Sequence, residues 1–305
     1  MRILPLTVAL FLTTTLFSAA QISVEVVVEQ EQFLRDEPLP VKVRITNRSG
    51  QTLQLGRDNE WLAFAVEGLD GAVISKLGEA PVAGAFALES AQVATRQVDL
   101  MPCFDLSQPG RYKVTATLRI KEWNDEVSSK PKGFEVVRGT RLWEQVFGVP
   151  TQSGVPETRK YTLQQANYRK QLKLYLRLTD LNEQKVFGVF PLGPLVSFSQ
   201  PEAQVDKSSQ LHVLSQTGAR SFLFYMINPD GEVILRQTYD YTATRPTLRS
   251  TEEGRIFVSG GVRRLTASDV PASLPGREAE LKTTNLPATT RQAGEAPHDD
   301  KTRKK

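Results

Sequence analysis

Short segments in which apolar and polar residues alternate recur along the sequence, and this pattern restricts the chain to β-structure. In residues 40–46, Val41, Val43 and Ile45 fall on one face, and charged residues fall between them. Because successive side chains of a strand point to opposite faces, this segment predicts a half-buried antiparallel strand. Further strand candidates follow at 92–100, 112–120 and 134–137. No amphipathic helical pattern lies between them, so we predict an all-β fold.

Turn residues separate these segments in an order that resembles a known class of β-sandwich. Asp-Glu-Pro-Leu-Pro-Val at 36–41 leads into the first alternating strand, and Pro-Gly-Arg-Tyr-Lys-Val at 109–114 opens a late one. This order resembles bacterial immunoglobulin-like modules and is similar to the small sandwich of the Bacillus-type intracellular proteinase inhibitors. The resemblance implies an immunoglobulin-like β-sandwich for residues 21–138. It implies no inhibitory function, because the motifs encode strand edges and turns and contain no binding loop.

A later part of the sequence contains one segment twice. Residues 201–214 align without a gap with residues 246–259, an offset of 45 residues, and a weaker third copy begins at Pro156. A period of about 40 to 50 residues is typical of four-stranded propeller blades. We therefore predict that residues 139–266 form a second antiparallel β region with blade-like repeats. Closing a propeller takes about four blades, so the region is either an incomplete, blade-like sandwich or an assembly of copies between chains.

Two strands define the interior of this second region. Residues 171–178 place a leucine at every second position, which predicts one apolar face. Residues 221–227 are apolar on both faces, which predicts a strand in the middle of a sheet, covered on both sides. Gly260 and Gly261 end the second copy, and we expect two backbones to approach closely there.

The two ends of the chain carry expectations about export and disorder. Residues 1–20 combine Arg2, an apolar stretch at 4–17 and small residues at 18–20, which is the pattern of a cleaved signal peptide. The apolar stretch is shorter than the ~20 residues that span a bilayer. We therefore expect a secreted or periplasmic protein without a transmembrane segment after cleavage. Residues 267–305 are mostly small, polar or charged, which predicts a disordered tail.

Few residues of the types that support catalysis or metal binding are present. Cys103 is the only cysteine, so no intramolecular disulfide can form, and its apolar neighbours predict a buried thiol. His212 and His298 are the only histidines, and His298 lies in the predicted tail. This leaves no basis for a two-histidine metal site or a Ser–His–Asp relay. We predict that His212 lies on a strand face, hydrogen-bonded to a neighbour, and we assign no catalytic, metal-binding or cofactor-binding residue and no cofactor.

Carboxylates are the remaining candidates for chemistry. They form two groups: Glu29, Glu31, Asp36 and Glu37 near an early turn, and Asp99 and Asp105 on either side of Cys103. A glycosidase needs two carboxyl groups about 5 to 10 Å apart, and the sequence gives no such distance. The ordinary expectation for these residues is a solvated edge or turn. A calcium site in the first group is a further alternative, although the ligand spacing of a calcium loop is lacking.

Aromatic residues offer a possible platform on which a sugar or peptide could stack, although on sheets they mostly pack in cores. The candidates are Trp61, Trp123, Trp143, Tyr161, Tyr168, Tyr175, Tyr225, Tyr239 and Tyr241. Asn47 begins a formal N-glycosylation sequence.

These observations favour an exported, non-enzymatic β-domain protein that binds a protein or glycan ligand of the cell envelope through sheet edges or loops. Two alternatives stay open. One is a carboxylate-dependent polysaccharide hydrolase, and the other is a structural or assembly subunit. The net charge of +4 is too small to indicate nucleic-acid binding. The sequence leaves the oligomeric state open.

Overall fold

The computed structural model describes residues 22–150, 156–169 and 171–271. These residues form β-strands joined by turns, with one short 3-10 helix at Met101–Cys103. The predicted all-β class is therefore confirmed. The predicted signal peptide and residues 272–305 of the predicted tail lie outside the described residues. Within the described ranges, no helix is long and apolar enough to cross a bilayer.

The first unit, residues 22–137, contains ten strands. They are β1 (Ile22–Val28), β2 (Gln32–Leu34), β3 (Pro40–Asn47), β4 (Leu53–Leu55), β5 (Leu62–Gly68), β6 (Phe86–Leu88), β7 (Val93–Asp99), β8 (Gly110–Ile120), β9 (Asp125–Ser128) and β10 (Lys132–Val137). One sheet has the order β1-β3-β7, and a second has the order β2-β10-β8-β5 with β9 beside β8. Strands β4 and β6 form a small separate sheet. Strand β2 runs parallel to β10.

Alternation of apolar residues explains how the two larger sheets of the first unit pack together. Val41, Val43 and Ile45 of β3 are completely buried, as the sequence predicts. On β8, every second residue from Tyr112 to Ile120 is buried as well. Side chains from both sheets meet in one apolar cluster. The two sheets therefore face each other across a single core, which is the arrangement of a β-sandwich.

The second unit begins at Thr140 and contains eleven strands among the described residues. They are β11 (Thr140–Val149), β12 (Glu157–Tyr168), β13 (Gln171–Asp180), β14 (Val186–Pro194), β15 (Glu202–Val205), β16 (Leu211–Gln216), β17 (Ser221–Ile227), β18 (Val233–Asp240), β19 (Thr247–Ser250), β20 (Ile256–Ser259) and β21 (Val262–Arg264). A four-stranded sheet has the order β11-β12-β13-β14, and a five-stranded sheet has the order β15-β16-β17-β18-β21. Strands β19 and β20 pair as an isolated hairpin.

The four-stranded and five-stranded sheets pack face to face. Leu174, Leu176 and Leu178 of β13 are completely buried, and they share an apolar cluster with Leu223 and Tyr225 of β17. The predicted leucine face of β13 is thus confirmed. A second face-to-face pair of sheets follows the first unit.

Strand β17 is covered on both of its faces, as its two-sided apolar sequence predicts. Its opposite face carries Phe222 and Phe224, which pack with Leu214 and with Leu248 of the β19–β20 hairpin. On either side, β16 and β18 complete its hydrogen bonding. The hairpin therefore forms an outer layer on the five-stranded sheet.

The two copies of the repeated segment fold as hairpins of identical register. Gln204 lies opposite His212 in the first copy, and Arg249 lies opposite Phe257 at the same positions of the second. The copies differ in their surroundings, because the first belongs to the five-stranded sheet and the second pairs only with itself among the described strands. At Pro156, the weaker third copy leads into the long strand β12 rather than into a hairpin. A larger blade-like repeat therefore stays a prediction.

Gly260 and Gly261 lie where the chain passes close to its own backbone, as expected. Both have positive φ angles, 80° and 65°. A Cβ atom on Gly260 would lie 2.6 Å from the carbonyl oxygen of Arg245, and one on Gly261 would lie 3.0 Å from that of Asp240. Only glycine fits this close approach. The chain then returns through β21, and residues 267–271, which the sequence assigns to the tail, pack against β18 through the bridge between Val270 and Arg236.

A small apolar cluster joins the two units. Leu34 and Val137 of the first unit pack against Ala166, Tyr175 and Val189, which lie on the outer face of the four-stranded sheet. The first unit thus covers a sheet face that would otherwise expose apolar side chains to water.

Ion pairs surround this cluster. The Arg177 guanidinium lies 2.6 Å from Asp36 and 3.3 Å from the carbonyl oxygen of Arg35. Arg169 pairs with Glu31 at 2.7 Å. Arg177 is 8% exposed, so it depends on Asp36 for its counter-charge. The junction is therefore specified by charge pairing as well as by apolar packing.

We expect Asp36→Asn to lower the free energy of unfolding by about 2 kcal/mol, because the buried guanidinium loses its counter-charge. Adding Arg177→Met removes the uncompensated charge, so the double variant should recover part of the loss. Urea unfolding of the two single variants and the double variant measures this coupling.

The matched control is the exposed pair of Arg119 and Glu126, whose closest N–O distance is 2.7 Å. The corresponding changes, Arg119→Met and Glu126→Gln, should each cost under about 0.5 kcal/mol. Strictly additive effects at Asp36 and Arg177 would contradict the coupling.

Candidate functional site

Two adjoining cavities lie between the units and together form what we term the interunit groove. The larger has a volume of about 620 Å³ and the smaller about 430 Å³. Pro38, Val189 and Phe190 line both cavities, so the groove is continuous past these residues. Residues of both units form its walls, which is a common location for ligand sites.

The floor of the interunit groove is β14, the edge strand of the four-stranded sheet. Residues 186–190 line the larger cavity, and residues 189–191 line the smaller one. The prediction from the sequence does not place this strand at an edge. Pro191 and Pro194 are the signal that could have revealed it, because proline within a sheet is confined mainly to edge strands.

Five carboxylates line the groove against one guanidinium group. The carboxylates are Glu29, Asp36, Glu37, Asp99 and Asp105, and the guanidinium belongs to Arg35. The fold thus brings together both acidic groups that the sequence singles out. Glu31 is the exception, since it pairs with Arg169 and does not line either cavity.

Asp99 is the last residue of β7, Asp105 lies on the segment that follows, and both are exposed. Asp99 accepts hydrogen bonds from the backbone N–H groups of Leu39, at 2.7 Å, and Met101, at 3.0 Å, both through Oδ1. The hydroxyl and backbone N–H groups of Ser107 lower the pKa of Asp105. The Asp105 side chain therefore stays charged to a lower pH than an ordinary aspartate.

Asp36 and Glu37 have structural partners. Asp36 pairs with Arg177 and Arg35. Glu37 is 5% exposed, and its two oxygens accept bonds from the Leu34 N–H at 2.7 Å and the Gln30 amide at 3.0 Å. Burial raises the pKa of Glu37, and the two hydrogen bonds oppose this only in part. These two carboxylates hold the turn between β2 and β3.

Glu29 lines the smaller cavity and pairs with Lys42, and 70% of its side chain is exposed. This exposure makes its carboxylate accessible to a charged ligand.

The larger cavity also has an apolar wall. Phe104 and Leu106 contribute from the first unit, and Phe187 and Phe190 contribute from β14. The ring of Phe187 is further covered by the guanidinium of Arg159, 4.2 Å from the ring centroid. The groove therefore combines apolar surface with negative charge.

Most of the aromatic candidates pack inside the protein, as expected. Trp61 is buried and donates its indole N–H to the carbonyl oxygen of Val82 at 3.0 Å. Tyr161, Tyr175 and Tyr225 are buried as well. Among the candidates, Tyr168 lines the groove.

Cys103 and Asn47 are also buried. Cys103 is 3% exposed, and desolvation raises the pKa of its thiol, with a smaller contribution from Asp99. Asn47 is completely buried and donates its amide hydrogens to the carbonyl oxygens of Gln51 and Leu88. The folded chain therefore does not present Asn47 for glycosylation.

His212 hydrogen-bonds to a neighbouring side chain on a strand face, which confirms its predicted setting. Its Nε2 atom lies 3.0 Å from Asp206 Oδ2, and its ring stacks on Phe224 at a centroid distance of 6.0 Å. His212 lines a separate cavity of about 570 Å³ beside the tips of the two hairpins. Among the described residues, no three His, Cys, Asp or Glu side chains are grouped so that they could hold a metal ion.

The sequence matches no protein family and no curated protein. Among solved structures, the chain is similar to the sporulation control protein Spo0M of Bacillus subtilis. The TM-score is 0.29 with 9% sequence identity, over 52% of this chain and 79% of that chain. A likeness of this size supports no functional argument.

The raised pKa of Glu37 predicts a pH dependence of stability. The folded state favours the protonated carboxyl, so this stabilising contribution is fully present below the ordinary pKa of 4.5. It is lost as the pH rises through the higher pKa of the folded state. We expect Glu37→Gln to remove this loss, so the unfolding free energy of the variant should fall less than that of the wild type between about pH 4 and about pH 7.

Urea unfolding across this pH range measures the difference. The control Glu126→Gln removes an exposed carboxylate outside the groove. Parallel stability profiles for the wild type and Glu37→Gln would show that Glu37 does not titrate in this way.

Proposed function

We propose that this protein is an exported, non-enzymatic binding module whose ligand is a cationic polypeptide segment held in the interunit groove. The observation that carries the proposal is the lining of the groove, in which an apolar wall lies beside five carboxylates, and two of these, Asp99 and Asp105, have no salt-bridge partner among the described residues. A segment with both basic and apolar side chains complements this surface in charge and in polarity.

Asp99 and Asp105 are the residues best placed to attract such a ligand. Both are exposed, and neither forms an ion pair with another described residue. Asp99 accepts two backbone N–H bonds through Oδ1, and Asp105 accepts bonds from the backbone N–H and the hydroxyl of Ser107. A ligand ammonium or guanidinium group can therefore pair with two carboxylates that have no salt-bridge partner among the described residues.

The architecture is compatible with a cell-envelope setting. The parallel pairing of β2 with β10 beside an antiparallel sandwich supports an immunoglobulin-like first unit. Immunoglobulin-like sandwiches are common in extracellular recognition. Together with the amino-terminal sequence pattern, this supports a secreted or periplasmic location.

The polysaccharide hydrolase receives less support. Both oxygens of Glu37 accept hydrogen bonds from protein donors, and Asp36 is paired with two arginines. A general acid needs a proton that it can deliver to the leaving group. These two carboxylates are instead engaged in holding the groove together.

We expect a fluorescent hexapeptide of alternating lysine and valine to bind the mature protein, as measured by fluorescence anisotropy. Binding should weaken as salt increases, because the attraction is between partly exposed charges. The corresponding glutamate–valine peptide should not bind. Equal binding of both peptides, or of neither, would overturn the proposal.

The double variant Asp99→Asn/Asp105→Asn tests the site. Each asparagine keeps an Oδ1 acceptor for the backbone bonds and removes a negative charge. We expect binding of the lysine–valine peptide to weaken by about fivefold to thirtyfold, from two exposed charge pairs of up to ~1 kcal/mol each.

The control Asp58→Asn/Glu126→Gln removes two exposed carboxylates of the first unit that lie outside the groove. It should bind the peptide within about twofold of the wild type, since it leaves the groove unchanged. A similar loss in both double variants would mean that binding responds to overall charge and not to the groove.

A further inference from the structure

None of the described strands lies beside the edge of β14 that faces the interunit groove. Strand β14 ends the order of its sheet, and no backbone hydrogen bond among the described residues joins 186–191 to the first unit. We propose that the ligand binds as an additional β-strand along this edge of β14. This inference rests on the proposed function and specifies how the same groove holds its ligand.

An edge strand offers N–H and C=O groups that an extended chain can pair with. The register of β14 shifts twice against β13, once beside Gly188 and once beside Pro191. Between these irregularities, Gly188–Pro191 pairs regularly, and bulges limit pairing beyond it. The edge therefore accepts a segment of about four residues, or ~13 Å of extended chain.

An added strand would also separate its side chains into two sets. Val189 points to the face of the sheet that packs on the first unit, and its neighbour Phe190 packs with the opposite, interior cluster. Phe187 joins the same interior cluster because it lies at the register shift beside Gly188. Side chains of a strand alternate between these two directions. Basic side chains directed toward the first unit would approach Asp99 and Asp105, and apolar side chains between them would lie toward the phenylalanines.

Two methylated forms of the lysine–valine hexapeptide test strand addition. One form carries a methyl group on the backbone nitrogen of every lysine, and the other carries a methyl group on the backbone nitrogen of every valine. An added strand directs alternate N–H groups toward β14, so one form should lose at least about tenfold in affinity and the other should stay within about threefold of the parent. Both forms carry the same number of methyl groups and the same charge.

The outcomes separate the two proposals. If the unmethylated peptide does not bind, the proposed function itself fails. If the parent binds and the two methylated forms bind equally, whether strongly or weakly, the ligand occupies the groove without adding a strand.

Hydrogen exchange gives an independent measurement on the protein. With the parent peptide bound, amides within residues 186–190 should exchange more slowly, because some of them acquire a partner. Strand β11, at the opposite edge of the same sheet, is the internal control and should be unchanged. Protection at β11 instead of β14, or at neither strand, would overturn strand addition.

Discussion

The covering of both faces of the four-stranded sheet β11–β14 is the constraint on which the rest of the structure depends. One face packs on the five-stranded sheet through leucines of β13, and the other carries Tyr175 and Val189, which need a cover from the first unit. The first unit supplies it with Leu34 and Val137. Because this contact is centred on one face, the chain of the first unit passes alongside β14 without pairing with it, and the groove is the space that remains.

Charge then fixes the position of the first unit on this face. A guanidinium as buried as that of Arg177 is tolerated when an acid such as Asp36 accompanies it. Asp36 and Glu37 thus serve the junction, whereas Asp99 and Asp105 leave the groove with exposed negative charge. The acidic residues of the groove therefore have two roles: Asp36 and Glu37 stabilise the junction, and Asp99 and Asp105 are accessible to a ligand.

Much of this architecture follows from local patterns in the sequence. Alternation is sufficient for β3 and β8, because each has one buried face, and the alternating leucines of β13 identify the face that packs inside its sheet pair. The two-sided apolar run of β17 is sufficient to identify a central strand. Alternation does not identify strand β12. Thr162 is buried beside Tyr161 and Leu163, so the burial pattern of this strand has no period of two. The short strands β2, β4 and β6 contain three residues each, too few to establish any period.

The groove could be predicted only in part. The sequence identifies its carboxylates, but their assembly depends on a contact between Asp99 and the N–H of Leu39, residues 60 positions apart. Neighbours such as Glu31 and Asp36 are close in sequence and yet pair with different arginines. Distances of this kind are set by tertiary packing and not by spacing along the chain. The prolines of β14 are a local signal that does indicate its exposed edge.

The repeated hairpins also share their turns. Asp206 Oδ1 accepts the N–H of Gln210 at 3.0 Å, and Thr251 Oγ1 accepts that of Arg255 at 3.1 Å, 45 positions later. The same turn chemistry therefore specifies both copies. It works with an aspartate or with a threonine at the position that accepts the bond.

The two hairpins differ in their anchoring, because the first copy belongs to the five-stranded sheet and the second forms a two-stranded sheet. The β19–β20 hairpin is held by apolar contacts around Leu248, by a bond from Leu248 N–H to Glu202, and by a bond from Lys207 to the carbonyl oxygen of Glu253. An isolated two-stranded hairpin is marginally stable in water. Its detachment is therefore a partial opening that costs less than unfolding the molecule, and it uncovers Phe222 and Phe224. We therefore expect the lifting of that outer layer to expose apolar surface while the rest of the molecule stays folded.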